Sequence, residues 1–270
     1  YGTVVLQSGE DYGITREWLT DIIHAIKAET GLAVTLSLGE RPDGDLVAWR
    51  EAGANRYLLR FETSDPRLYA MIHPPGPGRD LSDRIAMLRR LRELGYEAGS
   101  GVMVGIPGQT YAMLAKDIAT FGELDLDMIG VGPYIPHPAT PLSENRPVDG
   151  VDRLVPMPAP DGGQVPNTEA MTYKVVALTR LACPEGNIPS TTALATLNLA
   201  RGRELGLQRG ANIVMPNLTP PEYRSLYEIY PAKACISETG RECHLCMKAR
   251  IRGIGRTPGA GPGGRKRTKL

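Results

Sequence analysis

The feature that most constrains this chain is a unit that repeats along it: a short β-branched or apolar run, a glycine-rich polar turn, then a longer stretch of helical period. The runs Thr3–Gln7, Ala33–Ser37, Arg56–Arg60, Glu97–Met103, Met128–Val131, Ile188–Thr192 and Asn212–Met215 read as strands. Helical periods fall between them at Thr15–Glu29, Asp43–Ala52, Leu81–Leu94, Thr110–Glu123, Thr168–Leu181 and Thr196–Leu205, several ending in the glycine that a left-handed cap favours. Alternating βα units lay their strands in parallel, and eight of them close a barrel. The seven units here are one short, and the sequence opens at Tyr1 with a strand already under way. The expected fold is therefore α/β, a (βα)8 TIM-type barrel lacking its first βα unit, with upstream sequence missing.

Three regions follow from the pattern. Residues 1–217 carry the partial barrel, interrupted at about 136–166 by a proline-rich stretch with no clear period, which reads as a long surface loop. Residues 218–270 form a C-terminal extension with a cysteine triplet and a basic, glycine-rich end that reads as a flexible tail. Hydrophobic residues make up 41% of the 270 and charged residues 23%, enough to bury a sizeable core. A formal charge of +1 gives no broad field to draw nucleic acid or an anionic membrane, so small-molecule chemistry is the better expectation. No apolar run approaches the ~18 residues of a membrane span and no signal-peptide layout opens the sequence, so a cytoplasmic location is expected.

Active sites of parallel barrels are built at the C-terminal ends of the strands. Here those ends read Gln7-Ser8-Gly9-Glu10-Asp11, Ser37-Leu38-Gly39-Glu40, Arg60-Phe61-Glu62-Thr63, Gly105-Ile106-Pro107-Gly108-Gln109, Gly132-Pro133-Tyr134, Thr191-Thr192 and Met215-Pro216-Asn217. Glycines let backbone amides approach a ligand, and hydroxyls and carboxylates can hold a ribose or an amino group. Arg60 and Arg84 can clamp a carboxylate bidentately. The same residue types also cap helices and build βα turns, the better reading for Thr110 and Asp43. For Arg60 and Glu62, charges following the apolar run Tyr57-Leu58-Leu59, a ligand-facing role is expected, because an unpaired charge there is costly.

Cys235, Cys243 and Cys246 have the form Cys-x7-Cys-x2-Cys, which can wrap an iron–sulfur cluster or a zinc ion, the latter with His244, and can equally be a structural thiol group. Cys183 reads as an ordinary buried thiol. His137, in Ile135-Pro136-His137-Pro138, is either an acid–base group or a structural loop residue.

Several blocks resemble the HydE maturases of the [FeFe]-hydrogenase, radical S-adenosylmethionine (SAM) enzymes related to biotin synthase. They are Val5–Asp11, Thr35–Glu40, Arg56–Arg60, Met103–Thr110, Ile135–Pro138, Ile188–Ala193, Gly210–Asn217 and the closing Gly263-Gly264-Arg265-Lys266-Arg267. The resemblance implies a barrel in which a [4Fe-4S] cluster reduces SAM to methionine and a 5′-deoxyadenosyl radical. By motif match, Ser37, Glu62 and Arg84 contact SAM, Arg84 at its carboxylate and Glu62 at its amino group, with Met215 near the adenine and Tyr227 and Tyr230 near the cavity. Thr35, Arg60, Thr191, Thr192 and Tyr230 line the substrate or anion side. Cys235, Cys243 and Cys246 match an auxiliary [2Fe-2S] or [4Fe-4S] site. The partners implied are a small-molecule or iron-complex substrate, the maturases HydG and HydF, and an electron donor such as ferredoxin or flavodoxin. The sequence departs from the family pattern in having no Cys-x3-Cys-x2-Cys, which implies that the chain as written does not cleave SAM. It also has Phe61 where a histidine is expected and a longer 136–166 stretch. The alternatives are a methylornithine synthase-like radical SAM enzyme and a binding barrel without catalysis.

Overall fold

The structure, a computed structural model, describes residues 1–75, 80–143, 163–224, 226–227 and 238–266. Five parallel strands form one sheet in chain order: β1 (Thr3–Gln7), β2 (Ala33–Ser37), β3 (Arg56–Leu58), β4 (Glu97–Val104) and β5 (Met128–Pro133). Helices α1 (Arg16–Glu29), α2 (Asp43–Glu51), α3 (Pro66–Ile72), α4 (Arg84–Glu93) and α5 (Tyr111–Glu123) carry the crossovers. Beyond β5 follow α6 (Glu169–Ala182), α7 (Thr192–Leu197), α8 (Gly202–Gln208), α9 (Pro221–Arg224) and α10 (Gly240–Gly253).

Alternation along the strands sorts the residues onto two faces. Val34, Leu36, Tyr57, Leu59, Phe61, Ala98, Val102, Val104, Ile129 and Val131 enter the core shared with Leu19, Ile23, Trp49, Leu88, Leu91, Phe121 and Val175 of the helices. Burying each larger side chain contributes about 1.5–3 kcal/mol. The opposite parity faces the barrel interior: Thr3, Val5 and Gln7; Thr35 and Ser37; Arg56; Gly99 and Gly101; Gly130 and Gly132. Pairing keeps this parity in step across the sheet, with Gln7 beside Ser37, Thr35 beside Arg56 and Gly101 beside Gly130. Of the four glycines on β4 and β5, Gly99 lines the cavity, and Gly101 lets β4 lie against β5, since a Cβ there would stand 2.0 Å from Gly130 O.

The sixth and seventh expected strands are not strands. Each is reduced to single parallel bridges, Met128 with Asn187 and Pro189 with Ile213. Pro189 has no N–H to donate, and asparagine side chains stand in for ladder bonds. Asn212 Oδ1 accepts from Ile188 N at 2.7 Å, and Asn212 Nδ2 donates to Asn187 Oδ1 at 3.1 Å. Strand order and direction survive, so the wall is a parallel half-barrel sheet extended by two segments.

The expected loop after Tyr134 is docked at its far end: Val165 is buried, and Gln164 accepts from Gly108 N and donates to Ile106 O. Residues 144–162 lie outside the described residues. Asp43 does not cap α2; Pro42 holds that position, and the Asp43 carboxylate receives Arg90. Helix α10 was not expected, although Thr239 and Glu242 form a capping box at its start and Cys243, Met247, Ile251 and Ile254 recur along one face.

The glycine-rich C-terminal run, expected as a flexible tail, is docked as far as Arg265 across the N-terminal ends of the strands. Thr3 donates to Pro262 O at 2.7 Å, and Asn187 donates to Gly263 O at 2.9 Å. A Cβ on Gly2 would lie 1.7 Å from Gly261 O, so only glycine permits this approach. Arg265, 15% exposed, pairs with Asp125 at 2.5 Å and Glu185 at 3.4 Å. Arg265→Ala should lower the unfolding free energy by about 0.5–1.5 kcal/mol, since it removes hydrogen bonds to the Asp125 and Leu126 carbonyls and a charge partner from the part-exposed Asp125 and Glu185. Denaturant unfolding checks this, and a change under about 0.5 kcal/mol would match an ordinary surface substitution.

Candidate functional site

The sheet brings Gln7, Ser37, Arg60 and Glu62 to its C-terminal end, and the chain between β3 and β4 departs from regular geometry there. Leu58 pairs with Gly99, whereas Glu62 bridges Val102, so four steps along β3 meet three along β4. This one-residue bulge re-aims the chain. Phe61 N donates to Ser100 Oγ instead of a ladder carbonyl, and Glu62 N takes Gly101 O at 3.0 Å. Glu62 has φ 62°, and Thr63 N donates across it to Phe61 O at 2.7 Å, the pattern of a tight γ-turn. A non-glycine residue held there carries backbone strain of about 1–3 kcal/mol.

Glu62 Oε1 lies 3.0 Å from Arg60 Nε, while Glu62 Oε2 is buried without a hydrogen-bond partner. Burial pushes this carboxyl above its ordinary range, against the opposing charges of Arg60 and Arg84. Arg60 Nη2 donates to Val102 O at 2.6 Å, and its Nε, though close to Glu62, is not aligned for a hydrogen bond.

Arg84 opens α4 and is gripped on every side. Its Nε is 2.6 Å from Glu40 Oε1, its Nη2 3.1 Å from Glu10 Oε1, and its Nη1 2.9 Å from Arg60 O. Glu40 in turn accepts from Ser82, which meets the Tyr69 hydroxyl at 2.8 Å. His73, packed on Tyr69, faces Arg84 at 3.4 Å. Burial first, and the Arg84 charge second, push His73 down to about 4.

A cavity of about 920 Å³ fills the barrel interior and is lined by Thr35, Thr192, Met215 and Tyr227 among the expected residues. Tyr227 accepts from Gln7 Nε2 at 3.2 Å. Ser37, Arg60, Glu62 and Arg84 do not line it; the expected single cup is two neighbouring features, a charged cluster at the ends of β1 to β3 and a chamber bounded by the strands and the C-terminal run. Thr191 caps α7, its hydroxyl accepting from Leu194 N at 3.4 Å. Phe61 lies in the core, its ring 5.7 Å from that of Phe121. His137 Nδ1 accepts from Ala139 N, a local turn contact.

Tyr230 and Cys235 lie outside the described residues. Cys243 is buried on α10 and Cys246 exposed one turn on, where it accepts from Arg250 at 3.4 Å. Among the described residues no group of three or more His, Cys, Asp or Glu side chains has the geometry of a metal site. Cys183 ends α6, and its thiol is raised by burial. No described helix is long and apolar enough to cross a membrane.

A family profile described as the Radical SAM superfamily matches residues 3–121. The FeFe-hydrogenase maturase subunit HydE of Thermotoga maritima is 45% identical over 98% of this chain and 69% of its own length. This chain belongs to the HydE family. The 3-methylornithine synthase of Methanosarcina acetivorans is more distant, 26% identical over 94% of this chain and 65% of its own length. Among solved structures, methylornithine synthase (PylB) superposes with a TM-score of 0.74 at 24% identity, covering 96% of this chain and 69% of that one, a likeness of fold. Membership places the chain among radical SAM enzymes, whose family cofactors are SAM and a [4Fe-4S] cluster.

Sequence reasoning singled out Arg60, Glu62 and Arg84 and placed Glu10 and Glu40 at polar strand ends, but missed that these two carboxylates hold Arg84, and missed the support of Tyr69, Ser82 and His73. Part of that support sits on α3, whose start was signalled by Asp65-Pro66, an N-cap followed by the proline suited to a first turn. His73 also makes the cluster pH-sensitive. Its pKa is lowered on folding, so its contribution is present above the ordinary 6.5 and is lost as pH falls toward about 4. His73→Asn should flatten the loss of unfolding free energy across that interval; pH profiles identical to wild type would show that His73 is not held neutral.

Proposed function

We propose that this chain is the SAM-binding barrel of a HydE-type enzyme acting in assembly of the [FeFe]-hydrogenase H-cluster by reductive cleavage of SAM. The observation that carries the reading is Glu62 Oε2, a buried carboxylate oxygen left without a partner on a strained turn at the C-terminal end of a parallel sheet. Unpaired buried acceptors are rare, because each forgoes the hydrogen bond it had in water. An ammonium group supplies the missing donor, so Glu62 suits the amino group of SAM. When bound beside a [4Fe-4S] cluster, SAM supplies the radical chemistry of the superfamily. This chain's residues bind and orient it, and the bulge at Arg60–Glu62 holds two opposite charges ready for its amino and carboxylate ends.

The roles of the remaining residues follow from their surroundings. Arg84 was expected to clamp the carboxylate directly, but its contacts with Glu10, Glu40 and Arg60 O favour positioning of the Arg60–Glu62 pair. Arg60 takes the anionic end instead. Ser37 ends the neighbouring strand one residue beyond the Leu36–Tyr57 pair, and Met215 and Tyr227 line the adjoining chamber toward the adenosyl part. Thr35, Thr191 and Thr192, with Tyr230, form the substrate side, and the chamber has room for a small-molecule or iron-complex substrate beyond SAM. Cys235, Cys243 and Cys246 are proposed to hold an auxiliary [2Fe-2S] or [4Fe-4S] cluster. HydG, HydF and a ferredoxin or flavodoxin are the proposed partners. The four cysteines of this sequence, at 183, 235, 243 and 246, do not include a Cys-x3-Cys-x2-Cys, and none is assigned to the catalytic cluster.

Glu62→Gln keeps the side chain's shape and removes its charge. It should weaken SAM binding by about tenfold to a hundredfold, the range of a lost charge-assisted hydrogen bond. Titration calorimetry with SAM measures this, and wild-type affinity in Glu62→Gln would overturn the assignment.

A further inference from the structure

Helix α5 reaches the Glu62 turn from behind at two points. Phe121 packs on Phe61, the residue before Glu62, and Asp117, one helical turn earlier and wholly buried, receives the two residues after it. Asp117 Oδ1 accepts from Ser64 N at 2.5 Å, from Ser64 Oγ at 2.7 Å and from Thr63 Oγ1 at 3.4 Å. Thr63 Oγ1 accepts from Asp65 N at 3.2 Å, tying the same segment to the cap of α3.

A residue at φ 62° relaxes unless its neighbours hold it, and the hydrogen bonds of Thr63 and Ser64 to one buried carboxylate join the backbone bonds of Glu62 and Thr63 in doing so. A buried acidic side chain on a crossover helix is otherwise costly. Burial pushes the Asp117 carboxyl up to about 6, against the pull of the Ser64 and Thr63 hydrogen bonds, with Asp65 adding to the rise. Its Oδ2 has no partner, so the group is not placed there for a fully satisfied network.

We infer that Asp117 is a positioning residue for the SAM-binding turn: by clamping Thr63 and Ser64 it holds Glu62 in its left-handed conformation, with its carboxylate beside Arg60 and its second oxygen left without a protein partner. The inference rests on the SAM reading of Glu62 given above. Asp117 touches no ligand and acts through Glu62.

The test compares SAM affinity by titration calorimetry with unfolding midpoints in Asp117→Ala, Asp117→Asn, Glu62→Gln and Leu126→Ala. Leu126 is a fully buried core residue at the opposite end of the sheet and serves as a destabilised control. Asp117→Ala removes the acceptor and should weaken SAM binding about tenfold, whereas Asp117→Asn retains an oxygen that accepts from Ser64 and should stay within about threefold of wild type. Leu126→Ala, measured below its unfolding midpoint, should bind as wild type. Wild-type affinity in Asp117→Ala alongside a loss in Glu62→Gln overturns the positioning role and leaves the SAM reading standing. Wild-type affinity in Glu62→Gln overturns the SAM reading itself. Equal losses in Leu126→Ala and Asp117→Ala reduce the effect to general destabilisation and also overturn the role. If Asp117→Ala does not fold, Ser64→Ala removes one donor to the clamp and should weaken binding about threefold; unchanged affinity there counts against the inference.

Discussion

Everything in this molecule depends on the period-two alternation of parallel strands held in register. Each strand sends one set of side chains into the apolar layer beneath the helices and the other into the barrel. Val34 and Leu36 of β2 belong to the first set, Thr35 and Ser37 to the second, and a slip of one residue would exchange them. The register is therefore specified by the same apolar burial that stabilises the fold, and the polar interior is its by-product. Gly101 serves the same register, since a Cβ there would run into the Gly130 carbonyl of the neighbouring strand.

The charged cluster is built where this regularity fails. One extra residue in the chain after β3 bends it, places Glu62 in a conformation that side-chain-bearing residues avoid, and leaves a carboxylate oxygen buried and unpaired. Such a site is locally unfavourable and persists because the surroundings over-determine it: Phe61 is anchored in the core, Asp117 grips the following residues, and Arg84 holds the Arg60 carbonyl. Backbone strain and an unpaired carboxylate oxygen meeting at one strand end are what a ligand-binding turn requires.

The opposite end of the barrel is closed by the chain's own C-terminal run. Its glycines permit contact at a distance no side chain allows, as between Gly2 and Gly261, and Arg265 collects carboxylates and carbonyls from the starts of the last parallel segments. In sequence this stretch looks like a solvated tail, because glycine and basic residues carry no apolar period. Its order comes from fitting backbone against backbone, and residue type alone does not report that.

From sequence alone, the parallel βα architecture, the positions of β1 and β2 to the residue, and the choice of Arg60, Glu62 and Arg84 as chemically meaningful were all legible, because apolar periodicity and a charge beside a buried run are local signals. Local signals failed at Pro189, where strand-like composition concealed the lack of a donor, and at α10, where a charged surface outweighed a narrow apolar face. Only the tertiary structure decided that Arg84 is clasped by Glu10 and Glu40, that Glu62 keeps one oxygen free while Asp117 supports its turn, and that Thr191 caps a helix. Those facts depend on which residues distant in the chain arrive at one place, and the chain's local preferences do not encode distances between elements it has yet to pack.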